Sequence, residues 1–190
     1  MEWRHFRKRL FRKSYDAHMK ELILGGVRSG KSRYAEQRAA ASTMPVTYVA
    51  TATAGDAEMQ ARIRAHQARR PAAWTLVESP FALAETLRSH ASFNTCLLVD
   101  CLTLWLTNLL CAEDEEQFRH ERQALLDAIP LLPGRIIIVS NETNMGIIPL
   151  GELSRRYGDE AGSLHQELAL LCDRVVLTVA GLPLVLKGAQ

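Results

Sequence analysis

An α/β fold with a mostly parallel central sheet flanked by helices is the architecture this sequence predicts, and three observations predict it. Segments 21–24, 46–50, 95–100, 135–140 and 175–179 are short and almost continuously apolar. Strands without polar alternation are buried on both faces, as in a parallel sheet. Helix-forming stretches fall between most of these runs, as crossovers between parallel strands require. A glycine-rich stretch, Gly25-Gly26-Val27-Arg28-Ser29-Gly30-Lys31-Ser32, joins the first strand to the first helix. Strand, glycine loop, lysine, hydroxyl and helix in that order make a phosphate-binding loop, so the prediction sharpens to a single-domain P-loop nucleotide-binding fold.

The first strand spans 21–24 on the apolar run Leu22-Ile23-Leu24, and a helix follows the loop to about Ser42. The strand 46–50 ends in Thr51-Ala52-Thr53-Ala54-Gly55, small residues at the sheet edge where ligands of open α/β sheets sit. Asp56 is placed to cap a helix over 57–68, which stops before Pro71. A short strand at 74–78 and a helix at 81–90 lead to Thr95-Cys96-Leu97-Leu98-Val99-Asp100, four apolar residues running into an acid. Helices are expected at 102–111 and 113–129, and Pro130, Pro133 and Gly134 end the second. The strand 135–140 opens into a polar loop, 141–149; helices at 151–157 and 160–172 follow. Strands at 175–179 and 184–186, joined by a turn at Gly181-Leu182-Pro183, close the chain.

The 190 residues suit one domain, with no internal repeat and no low-complexity linker. Hydrophobic residues make up 47% and charged residues 23%, the balance of a soluble globular protein. The net charge of +2 conceals an asymmetry, because residues 1–18 hold six Lys/Arg against Glu2 and Asp16. The remainder is slightly acidic, which argues against a nucleic-acid partner. The basic arm, with Trp3, Phe6, Leu10 and Phe11 interleaved, could be read as an amphipathic membrane or targeting helix. It lacks a secretory apolar core, and Met19 stands just before the first strand, so 1–18 is read as a non-essential extension to a domain at 19–190. Cys96, Cys101, Cys111 and Cys172 form no metal-ligand spacing, which fits reduced, mostly buried thiols and a cytoplasmic setting. The longest apolar run is interrupted by Asp100 and Asn108, so no stable membrane insertion is expected.

The loop dictates chemistry. Its glycines let backbone N–H groups wrap a phosphate, and the helix N-terminus adds its positive dipole end. Lys31 is expected to act on the β- and γ-phosphates, while Ser32 and Asp100 hold Mg²⁺. A second constellation lies on the helix expected at 57–68. Arg62, His66 and Arg69 or Arg70 share one face if the helix persists. Cations around a histidine disfavour its charged form, so the ring stays neutral and nucleophilic beside guanidinium groups suited to phosphate. Such a histidine can carry a phosphoryl or nucleotidyl group, though spacing alone fits a surface histidine better. Among the other histidines, only His165, in a Gly-x-x-His-Gln helical turn, has a distinctive setting.

From Met19 onward the chain resembles the bifunctional adenosylcobinamide kinase / adenosylcobinamide-phosphate guanylyltransferase family of cobalamin biosynthesis. The resemblance rests on the phosphate loop through Arg33, Tyr48-Val49-Ala50-Thr51-Ala52, and Arg62-Ile63-x-x-His66 leading to Arg70-Pro71 and Trp74. It continues through Asp100-Cys101-Leu102-Thr103, Thr107-Asn108-Leu109-Leu110, Ser140-Asn141-Glu142-x-x-Met145-Gly146-Ile147-Ile148-Pro149, and Asp159-x-x-Gly162 with Gln166. It implies phosphorylation of adenosylcobinamide by ATP or GTP. Transfer of GMP from GTP to adenosylcobinamide phosphate would follow through a guanylylated histidine, here His66, with release of pyrophosphate. The family's nucleotide-binding positions fall on Gly25, Gly26, Val27, Arg28, Ser29, Gly30, Lys31 and Ser32, on Ala50, Thr51 and Ala52, on Gln67, Ala68, Arg69 and Arg70, and on Glu78 and Asp100. It also implies a mixed sheet and a homo-oligomer, a trimer in the family. Asn144 stands where the family often has glycine, and His165 where Asn often precedes the glutamine. Two other readings stay open at this point: a small-molecule kinase in which His66 is idle, and a nucleotide-dependent binding module recruited through the basic arm.

Overall fold

Residues 18–53 and 71–188 are described by the computed structural model of the chain. Alternation along the first strand, β1 (Lys20–Gly25), divides the core in two. Leu22 and Leu24 face one cluster and Ile23 the other, because successive strand side chains point to opposite faces. The same division runs through β2 (Val46–Ala50), β4 (Cys96–Asp100) and β5 (Arg135–Asn141). Together with β3 (Thr75–Glu78), β6 (Arg174–Val179) and β7 (Leu182–Lys187) they build one seven-stranded sheet, ordered β3-β2-β4-β5-β1-β6-β7. All neighbours are parallel except the hairpin β6–β7. The sheet is therefore mostly parallel, as the unbroken apolar strands predict.

The larger cluster lies under four helices: α2 (Leu83–His90), α3 (Leu102–Cys111), α4 (Glu115–Ala128) and α5 (Glu152–Leu171). Its centre is Trp105, fully buried, with its indole N–H donated to the Phe81 carbonyl at 2.6 Å. The other face is covered by the helix after the phosphate loop, α1 (Lys31–Ala41), whose small Ala35 and Ala39 meet Ile23, Leu98 and Ile137. Glu21 is also buried, a costly position for a carboxylate unless it is paired. Its two oxygens meet Arg174 Nε at 3.0 Å, Arg38 Nε at 3.1 Å and Arg135 Nη2 at 3.2 Å.

Several boundaries depart from the sequence reading, among them the helix expected at 81–90, which begins at Leu83. The helices expected at 151–157 and 160–172 are one continuous α5, because Ala161, Leu164 and Leu168 bury a single stripe. Gly158 costs such a helix only about 1 kcal/mol. Helix α4 starts at Glu115, where Asp114 caps the N–H groups of Glu116 and Gln117 at 3.1 and 2.9 Å. The closing turn is Ala180-Gly181, and Leu182 and Pro183 already belong to β7, an edge strand, where proline is tolerated. Among the described residues no helix is long and apolar enough to cross a membrane.

Candidate active site

Strand β1 ends at a buried Gly25. A Cβ there would lie 2.4 Å from Ser29 Oγ and 2.6 Å from the Thr178 carbonyl, so the chain can turn only without one. The turn closes with Ser29 N–H on the Gly26 carbonyl at 3.2 Å, and Gly30, at φ 94°, enters α1 in the left-handed region. Gly26, Val27 and Arg28 project into solvent. The first turn of α1 carries no acid and no side chain caps it. Its leading N–H groups are thus available to an anion, and the helix dipole favours one. From behind, the turn between β6 and β7 supports the loop, with Gly181 N–H donated to the Ser29 carbonyl at 2.8 Å.

Lys31 extends along this loop, its ammonium 3.2 Å from the Gly26 carbonyl. Burial lowers its pKa, and nearby Cys101 and Asp100 oppose the shift. Asp100 ends β4, which does not pair with β1; β5 lies between them. The carboxylate nevertheless reaches the loop, because α1 crosses this face and brings Ser32 Oγ to 3.4 Å from Asp100 Oδ1. The Tyr48 hydroxyl donates to Asp100 Oδ2 at 2.9 Å and fixes the other oxygen. Hydroxyl and carboxylate oxygens side by side form a hard donor set that suits Mg²⁺, which takes few protein ligands and completes its shell with phosphate and water. Among the described residues no cluster of three or more His, Cys, Asp or Glu competes for a metal.

The remaining described positions lie along the same carboxyl edge. In register, Ala50 stands between Glu78 on β3 and Asp100 on β4. Thr51 is buried and its side chain is fully engaged: Oγ1 donates to the Cys101 carbonyl at 2.7 Å and accepts from Cys101 N–H at 2.9 Å. Asn108, on α3, donates to the carbonyls of Thr51 and Pro80 at 2.8 and 3.0 Å, tying the loops after β2 and β3 together. Ala52 is half-buried and Glu78 exposed, so both are accessible to a ligand. His66, Gln67, Ala68, Arg69 and Arg70, with Arg62, lie outside the described residues.

Sequence reasoning assigned no role to a second group at this edge. Glu142 follows β5, and its N–H is donated to the Gly25 carbonyl at 3.1 Å. His165, buried on α5, bonds Ser140 Oγ through Nε2 at 2.7 Å and points Nδ1 at Glu142 Oε2, 3.8 Å away. Burial lowers the His165 pKa and Glu142 opposes the shift. Tyr157 lies beside Thr103, Cys101 and Glu142, its hydroxyl pushed up to about 12 by burial. Asn144 fits against α5 because the helix offers glycine there: its Nδ2 donates to the Gly158 carbonyl at 3.0 Å, and a Cβ on Gly162 would come within 2.8 Å of that nitrogen. The polar run 141–144 signals a loop, but no spacing links it to a histidine more than twenty positions onward.

The family described as cobinamide kinase / cobinamide phosphate guanyltransferase matches the chain over residues 21–186. The bifunctional adenosylcobalamin biosynthesis protein CobP of Pseudomonas aeruginosa is 64% identical over 170 residues, covering 90% of this chain and 98% of that protein. The bifunctional adenosylcobalamin biosynthesis protein CobU of Escherichia coli K12 is 36% identical over 179 residues, covering 87% of this chain and 98% of that protein. Among solved structures, the RadB recombinase aligns with a TM-score of 0.50 and 16% identity over 85% of this chain and 74% of that one, a likeness of fold alone.

Proposed function

The chain belongs to the cobinamide kinase / cobinamide phosphate guanyltransferase family, and from that premise we propose that both activities share the carboxyl edge of the sheet, with His66 carrying the nucleotidyl group. It is a bifunctional adenosylcobinamide kinase and adenosylcobinamide-phosphate guanylyltransferase of cobalamin biosynthesis, acting with nucleotide substrates. The observation that carries the site assignment is the convergence of the phosphate loop, Ala50 and Glu78 on one edge, with Ser32 Oγ 3.4 Å from Asp100.

In this reading the triphosphate of ATP or GTP lies on Gly25–Ser32, with Lys31 against the β- and γ-phosphates. From β1 to β3 the sheet spans four strand spacings, about 19 Å. An extended nucleoside triphosphate covers that distance, which brings its nucleoside towards Ala50, Thr51, Ala52 and Glu78. Ser32 and Asp100 would hold Mg²⁺, which supplies charge neutralisation on the phosphate oxygens. In the kinase step the hydroxyl of the cobinamide aminopropanol arm takes the γ-phosphoryl group. In the transferase step the His66 imidazole attacks the α-phosphorus and expels pyrophosphate; the cobinamide phosphate then expels the imidazole. The family resemblance supports this role and outweighs the spacing, which alone fits a surface histidine better; Arg62 and Arg69 or Arg70 would share the His66 face, with Gln67 and Ala68 completing the nucleotide contacts. The arginines keep the ring neutral and offset charge at the α-phosphate. A homo-oligomer, a trimer by the same resemblance, is supported by the exposed Leu182, Leu184 and Leu186 on the edge strand.

The test uses GTP labelled at the α-phosphate. Label is expected to stay on denatured protein in an acid-labile, alkali-stable linkage, as for a phosphoramidate. His66→Ala is expected to lose that label and guanylyl transfer while keeping a measurable part of the kinase step. Labelled protein from His66→Ala, or selective loss of the kinase step, would return the assignment to a simple kinase.

A further inference from the structure

We propose that Glu142 is the proton acceptor of the kinase step, positioned by the pair His165 and Ser140. The proposal rests on the phosphate-loop site described above and adds to it the group that handles the substrate hydroxyl.

Topology supplies the placement. Strand β5 lies between the strand that feeds the phosphate loop and the strand that ends in Asp100. In the parallel register Gly25 is opposite Asn141, so Glu142 is the first residue beyond the sheet at the centre of the ligand edge. Its N–H is held by the Gly25 carbonyl at 3.1 Å, which fixes its backbone beside the first residue of the loop. An acceptor approaching the end of a triphosphate bound there meets this position. The other acid at the centre, Asp100, already receives Tyr48 and Ser32.

The carboxylate is held but not saturated. Oε1 accepts the Asn144 N–H at 2.8 Å, whereas Oε2 accepts no hydrogen bond among the described residues. Facing Oε2 at 3.8 Å is His165 Nδ1, a buried nitrogen that itself lacks a hydrogen-bond partner. The ring is anchored at its far side by Ser140, and with the Ser140 hydroxyl donating to Nε2 the neutral ring carries its proton on Nδ1. That N–H then points at Glu142 and orients the carboxylate without neutralising it. A gap of 3.8 Å is too long for a direct hydrogen bond, so His165 acts on the carboxylate through its field and leaves Oε2 open to a substrate hydroxyl, while the Asn144 bond falls on Oε1. Glu142 keeps 18% of its side-chain surface exposed, enough to receive a substrate and to return a proton to water.

The step balances as follows. The aminopropanol oxygen forms a bond to the γ-phosphorus as its proton passes to Glu142. The bond from that phosphorus to the β–γ bridging oxygen breaks, and its electron pair leaves with the nucleoside diphosphate. Glu142 then releases the proton to solvent. Guanylyl transfer needs no such base, because its acceptor is a phosphate that is already ionised.

Glu142→Gln tests this, since glutamine retains an acceptor oxygen for Asn144 but not a basic carboxylate. The kinase kcat is expected to fall about 100-fold or more, with KM for nucleotide and for adenosylcobinamide changed less than about threefold. Guanylyl transfer to preformed adenosylcobinamide phosphate, and labelling by α-labelled GTP, are expected to stay within about threefold of wild type; they also report that the variant is folded. His165→Leu is expected to give the same split, smaller in size. Kinase turnover retained by Glu142→Gln would overturn the proposal, as would a parallel fall in both steps. Lys31→Ala, run alongside, separates the failures: if it keeps kinase activity the loop assignment fails, and if it is inactive while Glu142→Gln works, only the role of Glu142 fails.

Discussion

Lys31 rests on the Gly26 carbonyl and takes no carboxylate partner in a hydrogen bond or ion pair among the described residues. Its ammonium is thus available to charge that builds on a transferring phosphate. Lys31→Ala should reduce kinase and guanylyl-transfer rates by about 10²-fold or more. Because the side chain closes no core contact, the unfolding midpoint should move by no more than about 2 °C. Parallel rate assays and thermal melts check both halves of that expectation. The placement of Lys31, Ser32 and Asp100 around the loop is legible in the sequence because each stands at a fixed place relative to a buried strand. Tyr48 was not, although it fixes Asp100, because its position inside β2 is explained equally well by an apolar pattern. His165 was marked only by its local turn. Its partners Ser140 and Glu142 arrive through the packing of α5 against β5, which no local spacing encodes.

Helix α3 connects the site to the core. From one side Thr103 accepts the Asn141 N–H at 2.8 Å and Asn108 holds the loops after β2 and β3. From the other, Trp105, Leu106 and Leu109 fill the larger cluster. Trp105→Ala leaves a large cavity and removes the indole hydrogen bond to the Phe81 carbonyl, which keeps the Leu83 N–H at 2.8 Å, and should cost about 3–5 kcal/mol. For a domain of this size that lowers the unfolding midpoint by about 6–20 °C, measurable by calorimetry or urea titration. The strands and most helices were readable from apolar runs and glycine or proline punctuation. The sheet order was not, since which strand inserts between β1 and β4 depends on long-range packing. The single α5 was missed for a related reason: Gly158 reads as a breaker locally, yet it provides the surface on which Asn144 docks.

At the scale of the whole molecule, the domain proposed to begin at Met19 is already anchored there. Met19 is buried, its carbonyl accepts the Ile136 N–H at 3.0 Å, and Lys20 Nζ reaches the carbonyls of Leu132 and Gly134 at 2.7 and 3.1 Å. Among the described residues, removing His18 takes its carbonyl from Lys20 and its ring from Phe93. A chain beginning at Met19 should keep wild-type turnover and unfold within about 2 °C of the full chain. Loss of solubility or activity would show that the arm works with the domain. The opposite margin of the sheet has a different bearing on the nucleotide. The β6–β7 turn holds Ser29 through the Gly181 N–H, and a Cβ on Gly30 would come within 3.0 Å of Gly181 Cα. The phosphate cradle is therefore moulded by a hairpin at the end of the chain, and its conformational freedom is surrendered during folding. Each turnover then meets a receptor whose ordering entropy has already been spent, so less of the binding free energy of the triphosphate goes into shaping the loop.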